Sequence, residues 1–201
     1  VTRPGEAPIF LSARALSQNA QNIISANFVQ TNDSLFTEDY LSSPEGLMLG
    51  CWVPVLGRGR AVCRSFSLRA NFEALEQAIL EQGVTLVAGP GKFFEAISGA
   101  LNVRSLKYGI LFGPANQWEI EDWEKNLDLP LARAWSSHAR VISMSRPDVN
   151  FGDASVHFVQ KGRDPKSVGR LLPGFAAKIE GSRLWLKFPP GGADGGKWIP
   201  G

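Results

Sequence analysis

The sequence predicts an α/β protein in which a mostly parallel sheet with crossover helices is followed by a small antiparallel β subdomain. Strand-like apolar runs alternate with helical patterns over about the first two thirds of the chain, which is typical of parallel strands joined by helices. Beyond Val141, short strand-like runs follow one another without a helical pattern between them, which indicates antiparallel strands. A hydrophobic content of 44% in 201 residues is sufficient to fill a core and excludes a disordered chain.

The elements of the first part follow in a regular order. Ser12 precedes a helical pattern in which Leu16, Ala20 and Ile23 recur at intervals of three and four. Pro44 begins a second apolar segment, PEGLMLGCWVPVL, which the strand-like RAVCRSF follows. The next elements are predicted to be the helix NFEALEQAILEQG, the strand VTLVAG, the short helix KFFEAIS, the strand KYGILFG, the helix NQWEIEDWEKNL and the strand LPLARAW. We expect VTLVAG and KYGILFG to be parallel neighbours, because both are continuous apolar runs and a helix links them.

The last part of the chain has a different pattern. Its strand-like runs are VISMS, SVHFVQK, FAAKIEG and RLWLKF. We therefore expect strands, and no helix, across Phe175 to Phe188. A boundary between Ala139 and Ser145 divides the chain into two predicted subdomains, residues 1–140 and residues 141–201.

Charge and cysteine content restrict the function classes. The net charge of +2 favours no class of partner, and a nucleic-acid module ranks last because Phe66 alone interleaves with the basic residues Arg58, Arg60, Arg64 and Arg69. Cys51 and Cys63 match no zinc spacing and are interpreted as reduced core thiols, which favours a cytoplasmic location.

No apolar run approaches the roughly 20 residues that span a bilayer, and no signal pattern is present. Because the chain begins at Val1 and stops in a glycine-rich loop, we expect it to belong to a larger polypeptide.

Two short segments have the composition of ligand-binding loops. In AGPGK, between a strand and a helix, backbone amides could hold an anion, but the full phosphate-loop spacing is missing, so a tight βα turn is the favoured interpretation. In AWSSHAR, neighbouring residues of an extended chain point to opposite faces, so Ser137 and His138 are not expected to form a nucleophile and base pair. A loop with polar caps is favoured there. No catalytic or metal-binding residue is assigned from the residues alone.

The order and content of these segments resemble the large domain of the adenylate-forming acyl-activating enzymes, above all acyl-carrier-protein synthetases and acyl-CoA synthetases. IFLSARALSQNAQNI resembles the helix after that family's phosphate loop, and KYGILFGPANQ its strand that ends in a small-residue turn against adenine. The stretch KSVGRLLPGFAAKIEGSRLWLKFPP is the most specific, because the family carries a very similar Gly-Arg and Leu-Pro-Gly turn between two strands.

The resemblance implies a reaction, its cofactors and a set of site residues. The family activates a fatty acid with ATP and magnesium as an acyl-adenylate and transfers it to the thiol of an acyl-carrier protein or coenzyme A. The implied residues are Gly89, Pro90 and Gly91 at the acyl pocket, Gly113, Pro114 and Ala115 at the adenine turn, and Ser136 and Ser137 in the nucleotide motif.

The sequence departs from the family where the chemistry would take place. TRPGEAP, at the place of the phosphate loop, lacks the family's lysine, and Ser43 stands where the acyl-carrier-protein group carries a histidine. Ser136 can replace a threonine, but Ser137 falls where the family has its magnesium-binding glutamate. Two functions remain open: a segment of an acyl-activating ligase that is inactive in isolation, and a pseudoenzyme that serves as a scaffold or as an acyl- or nucleotide-binding module.

Overall fold

The helices and strands are defined by a computed structural model, which describes residues 12–25, 29–38, 43–63, 72–98, 105–137, 140–144, 170–189 and 196–200. The helices are α1 (Ala13–Ser25), α2 (Pro44–Leu47), α3 (Val53–Leu56), α4 (Phe72–Glu81), α5 (Gly91–Ile97) and α6 (Gln117–Leu127), and a π-helical turn, Met48–Trp52, joins α2 to α3. The strands are β1 (Ser34–Thr37), β2 (Arg60–Val62), β3 (Leu86–Pro90), β4 (Tyr108–Phe112), β5 (Leu131–Ser137), β6 (Arg140–Met144), β7 (Arg170–Leu171), β8 (Ala176–Glu180), β9 (Arg183–Lys187) and β10 (Trp198–Pro200).

The larger sheet has seven strands in the order β2-β1-β3-β4-β5-β6-β7. Its first five strands run parallel, and β6 and β7 continue it antiparallel. Leu86 pairs with Tyr108 and Pro90 with Phe112, so the predicted parallel pairing of VTLVAG with KYGILFG is confirmed. The predicted helices around these strands are also confirmed. β1 was not predicted, because four residues are too few to show a period.

The second sheet has three antiparallel strands in the order β10-β9-β8. Strands β8 and β9 occupy Phe175 to Phe188, as predicted. This sheet begins at Ala176, since β6 and β7 pair with the larger sheet. The division into subdomains 1–140 and 141–201 stays a prediction, and SVHFVQK lies outside the described residues.

Helices cover both faces of the parallel strands. On one face, Ile23 of α1 and Met48 of the π-helical turn pack with Ile110 of β4. On the other face, Phe94 of α5 and Leu111 of β4 belong to a separate core, which also holds apolar side chains of α4 and α6. Successive residues of one strand thus enter different cores, because side chains alternate along a strand. Burial on both faces explains why these strands read as continuous apolar runs.

A buried aspartate connects the amino ends of three neighbouring strands. Asp33, immediately before β1, is 2% exposed. Its Oδ1 accepts hydrogen bonds from Thr85 Oγ1 at 2.9 Å and from Lys107 Nζ at 2.6 Å, while its Oδ2 accepts from Gln30 N at 2.8 Å. Thr85 precedes β3 and Lys107 precedes β4, so one carboxylate joins β1, β3 and β4. Loss of these partners would be strongly destabilising, because it would leave a buried charge uncompensated.

Cys51, Cys63 and Arg60 lie near strand β2 or in the helical segment before it. Both cysteines are free, but only Cys51 is partly buried; Cys63 follows the edge strand β2 and is exposed, so its interpretation as a core thiol is wrong. Arg60 donates through Nε to Ser34 Oγ at 3.2 Å and through its guanidinium to the Gln82 carbonyl. Arg64 and Arg69 lie outside the described residues.

Within the described part of the chain, no helix has the length and apolarity required to cross a membrane.

Candidate functional site

The segments predicted to form the site lie at one edge of the parallel sheet. Pro90 pairs with Phe112, and Phe112 pairs in turn with Ala134. The carboxyl ends of β3, β4 and β5 are therefore level with one another. In open α/β sheets, ligands bind in the crevice outside these strand ends.

The AGPGK segment is the tight βα turn that the sequence favours, because β3 runs directly into α5 at Gly91. A Cβ on Gly89 would lie 2.4 Å from Cδ1 of Phe93, so only glycine lets α5 pack this closely on its strand. A Cβ on Gly91 would lie 3.1 Å from the Trp123 ring and 3.6 Å from the Pro114 carbonyl oxygen. The predicted acyl turn and the predicted adenine turn are thus in close proximity.

The turn after β4 is open on one side. Gly113 has φ +86, a left-handed conformation that favours glycine, and apart from its two chain neighbours no described residue has an atom within 4 Å of where its Cβ would be. Gly113 and Pro114 are exposed, and Ala115 is half-buried. Asn116 is the N-cap of α6, and its backbone N donates to Glu119 Oε2 at 2.6 Å, which fixes the exit of the turn. The turn therefore presents backbone and small side chains to solvent.

Ser136 and Ser137 belong to strand β5, so the expected loop with polar caps is wrong at these positions. The strand continues because β6 turns back and pairs with it, with Ser137 opposite Arg140 and a register shift between Trp135 and Ser136. Trp135 packs against the core of the three-stranded sheet. The side chain of Ser137 and all of His138 lie outside the described residues.

The Ser136 hydroxyl donates a hydrogen bond to Oε1 of Glu45. Glu45 lies 91 positions earlier in the chain. Glu45 follows Pro44 in the first turn of α2 and is 8% exposed. Ser43 caps this helix, because its Oγ accepts from Gly46 N at 2.9 Å. The resemblance points to Ser43 in this segment and not to Glu45. The available signal was a carboxylate at the start of an otherwise apolar run.

The donor chemistry of this pair suits magnesium. Among the described residues, no three His, Cys, Asp or Glu side chains gather as metal ligands. Mg²⁺, however, commonly takes one or two carboxylates and completes its shell with water and substrate phosphates. The carboxylate of Glu45 and the hydroxyl of Ser136 are hard oxygen donors of that kind, so the residues present fit the ion.

Comparison with known proteins gives matches in structure but not in sequence. No sequence-family description and no curated protein matches the chain. The o-succinylbenzoate CoA synthetase from Bacillus subtilis, as a double mutant bound to a product analogue, aligns with a TM-score of 0.76 at 15% identity over 96% of this chain and 42% of that enzyme. An anthranilate CoA ligase in complex with anthranoyl-AMP aligns with a TM-score of 0.70 at 15% identity, covering 89% and 36%.

A benzoate CoA ligase from Burkholderia xenovorans aligns with a TM-score of 0.69 at 15% identity, over 89% of this chain and 38% of the ligase. The chain thus spans about two fifths of the length of these enzymes. At this identity the likeness shows the fold. The chain has the fold of part of the large domain of the AMP-forming acyl-CoA and aryl-CoA ligases, and the resemblance to adenylate-forming enzymes is confirmed at that level.

Proposed function

We propose that this chain is the adenylate-binding segment of an AMP-forming acid–thiol ligase relative, and that by itself it binds an acyl-adenylate without completing the reaction. The observation that carries the proposal is the proximity of the two turns, in which the Pro114 carbonyl oxygen lies 3.6 Å from the position of a Gly91 Cβ. An acyl-adenylate joins an acyl group to a nucleotide, so a site for it needs both binding surfaces side by side.

Each turn has the shape that its proposed ligand requires. Gly113, Pro114 and Ala115 present an open backbone surface on which adenine can lie, since Gly113 carries no side chain and faces open space. Gly89, Pro90 and Gly91 border the acyl group, with the Trp123 ring close to Gly91. Ser136 and Ser137 follow on the next strand, and Ser136 Oγ supplies a polar group near the mixed anhydride.

The proposed cofactors are ATP and magnesium. The Bacillus subtilis o-succinylbenzoate CoA synthetase, which has this fold at a TM-score of 0.71, is known in complex with ATP and magnesium ion. Magnesium, when bound, neutralises phosphate charge during adenylation. The proposed acid is a fatty acid, and the proposed acceptor is the thiol of an acyl-carrier protein or coenzyme A.

Inactivity in isolation follows from the missing charges. TRPGEAP provides no lysine for the phosphates, and Ser137 provides no carboxylate. Adenylation depends on cations and donors directed at phosphate charge that shifts in the transition state. Because such residues act as a unit, losing several of them removes most of the rate, whereas binding depends on more of the surface and survives.

Calorimetry tests the binding, and pyrophosphate exchange tests the catalysis. We expect measurable affinity for a hydrolysis-resistant acyl-adenylate mimic with a long acyl chain, and weaker affinity for ATP with magnesium. We expect no fatty-acid-dependent exchange of pyrophosphate into ATP at saturating magnesium. Robust exchange by the chain alone would overturn the proposed inactivity, and a folded chain that binds neither compound would overturn the proposed site.

The second candidate is a pseudoenzyme that retains the fold as a scaffold within a larger polypeptide. The absence of a lysine in TRPGEAP and the serine at position 137 favour it, since the resemblance puts the family's phosphate-binding lysine and magnesium-binding glutamate at those places. A scaffold predicts normal thermal unfolding without any stabilisation by the acyl-adenylate mimic. Stabilisation by the mimic, measured as a rise in Tm, supports the adenylate-binding function instead.

A further inference from the structure

We propose that the outer face of the three-stranded sheet binds the surface of an anionic lipid bilayer. The inference goes beyond the proposed ligand-binding function and does not depend on it. It rests on three features of strands β8, β9 and β10: a local excess of positive charge, indole rings on the same face as the cations, and lysine ammonium groups that approach one of those rings.

Positive charge is concentrated in this small sheet. Residues 176–187 and 196–200 carry four basic side chains against one acidic side chain, an excess of three, whereas the whole chain has an excess of two. The basic residues are Lys178, Arg183, Lys187 and Lys197, and the acidic residue is Glu180. The rest of the sequence therefore has a slight excess of acid, and the field of the protein attracts an anionic partner to this sheet.

The strand register divides the sheet into an inner and an outer face. On the inner face, Leu184, Leu186 and Ile199 pack with Trp135 and Phe175. Side chains alternate along a strand, so the intervening residues of the three strands lie on the outer face. They include Lys178, Arg183, Trp185, Lys187, Trp198 and Pro200. The outer face thus combines cations with two indole rings and a proline.

Two ammonium groups on the outer face approach the ring of Trp198. The Nζ atom of Lys178 lies 4.9 Å from the centroid of this ring, and the Nζ atom of Lys187 lies 6.0 Å from it. The residue remains 39% exposed. Indole rings favour the headgroup level of a bilayer, and lysines that lie along them can meet lipid phosphates. This face therefore has the chemistry of a bilayer surface site.

The same geometry argues against a nucleic acid as the occupant. Single-stranded nucleic acids are bound by stacking their bases on exposed aromatic rings. The Nζ atom of Lys178 already lies over the ring of Trp198, where a base would have to stack. A bilayer requires no stacking, since the indole enters among the headgroups while the ammonium groups meet phosphates.

The acidic residue of this face does not neutralise it. Glu180 Oε2 lies 3.1 Å from the Nζ atom of Lys178, but the two side chains are 68% and 40% exposed. An ion pair at such exposure is weak, so lipid phosphates can compete for the ammonium group. Arg183 and Lys187 form no ion pair with an acidic side chain of the described residues.

Co-sedimentation of the 201-residue chain with sucrose-loaded vesicles tests the inference. One set of vesicles contains phosphatidylcholine alone, and the other contains equal parts of phosphatidylcholine and phosphatidylglycerol. We expect binding to the anionic vesicles only, and weaker binding at high salt, which screens the charges. The double variant Lys178→Gln, Lys187→Gln should bind them roughly 25-fold more weakly, since each cation near an anionic surface contributes roughly fivefold. Trp198→Ser should also weaken binding, because the indole no longer enters the headgroup region.

Two matched controls separate this face from general properties of the chain. The double variant Lys92→Gln, Lys125→Gln removes the same charge from exposed positions on α5 and α6 and should bind as wild type. Ile179→Ser removes a 78% exposed apolar side chain from the opposite side of β8 and should also bind as wild type.

Several outcomes would overturn the inference. It is wrong if the folded wild-type chain binds no anionic vesicles, or binds neutral vesicles equally well. It is also wrong if the Lys92 and Lys125 variant loses as much binding as the Lys178 and Lys187 variant, since overall charge would then be responsible. Unchanged binding by Trp198→Ser would contradict entry of the indole, and retention of a single-stranded oligonucleotide without vesicle binding would identify a nucleic-acid surface instead.

A further variant decides if the double lysine variant does not fold. Arg183→Gln changes an exposed residue at the start of β9 and should weaken binding to the anionic vesicles roughly fivefold. Full binding by folded Arg183→Gln would then contradict the inference. None of these results alters the tests of acyl-adenylate binding, which concern the other sheet.

Discussion

The two edges of the parallel sheet use buried carboxylates in different ways. At the amino edge, Asp33 accepts from three donors that lie before β1, β3 and β4, one of which is the ammonium group of Lys107. At the carboxyl edge, Glu45 meets the neutral hydroxyl of Ser136. A carboxylate bound by a cation and two further donors is a structural connection.

Conformational restriction is thus concentrated away from the proposed site. The amino edge is cross-linked by side chains separated by 52 and 74 positions in the chain. The carboxyl edge is shaped mainly by backbone, through Gly89, Gly91 and Gly113. Such a division is expected when one edge provides stability and the other provides binding surface.

The largest effect on stability is expected from neutralising Asp33. In Asp33→Asn, the amide NH₂ would face donors that now bond to a carboxylate oxygen, and the attraction to Lys107 is lost. We expect the free energy of unfolding to fall by about 3 kcal/mol, since a buried polar group loses its complement. Urea unfolding measures it.

The matched variant at the opposite edge is Glu45→Gln. Its amide oxygen still accepts from Ser136, so we expect a loss of about 1 kcal/mol or less. If Glu45→Gln costs as much as Asp33→Asn, the distinction between a structural edge and a binding edge is wrong.

A loss of stability between those of Asp33→Asn and Glu45→Gln is expected from Gly89→Ala. The new Cβ would lie 2.4 Å from Cδ1 of Phe93, within the buried contact between β3 and α5. Overpacking of this kind costs about 2 kcal/mol, which thermal and urea unfolding both detect. Gly91→Ala is the control. Its new Cβ would lie 3.1 Å from the edge of the Trp123 ring, and a small shift of the ring relieves this close contact. Equal losses in both variants would contradict the close approach at Gly89.

The sequence predicts features that are repeated along the chain and misses those that join distant residues. The strand runs and the helices between them have periods, and the Gly-Pro turn after β4 has a local signature, so both were found. Glu45 was missed because its partner Ser136 lies 91 positions away. β1 was missed because it is four residues long. The loop expected at Ser136 proved to be strand, since pairing with β6 is a long-range effect that local composition does not reveal.

A change in binding with little change in stability is expected from Gly113→Trp. An indole placed on the open turn would occupy the proposed adenine surface, so binding of the acyl-adenylate mimic should become undetectable by calorimetry. The φ of +86 makes any side chain strained there, which costs about 1 kcal/mol. Gly113→Asn introduces a smaller, polar side chain that tolerates the left-handed conformation better, and it should retain measurable binding. If Gly113→Trp binds the mimic as well as wild type, the adenine turn has been placed wrongly.

A small and salt-dependent loss of stability is expected from Lys107→Met, which removes only the cation from the contacts of Asp33. The Lys107 side chain is 41% exposed, so water can reach the carboxylate when the ammonium is removed, and the remaining bonds from Thr85 and Gln30 persist. We expect a loss of about 1 kcal/mol at low salt, and a smaller difference from wild type at 1 M salt, because exposed charge pairs are screened. Lys92→Met, an exposed lysine at the carboxyl edge, should leave the free energy of unfolding unchanged and serves as the control. A loss near that of Asp33→Asn, insensitive to salt, would mean that the ammonium group is the main support of the buried carboxylate and that the two uncharged donors contribute little.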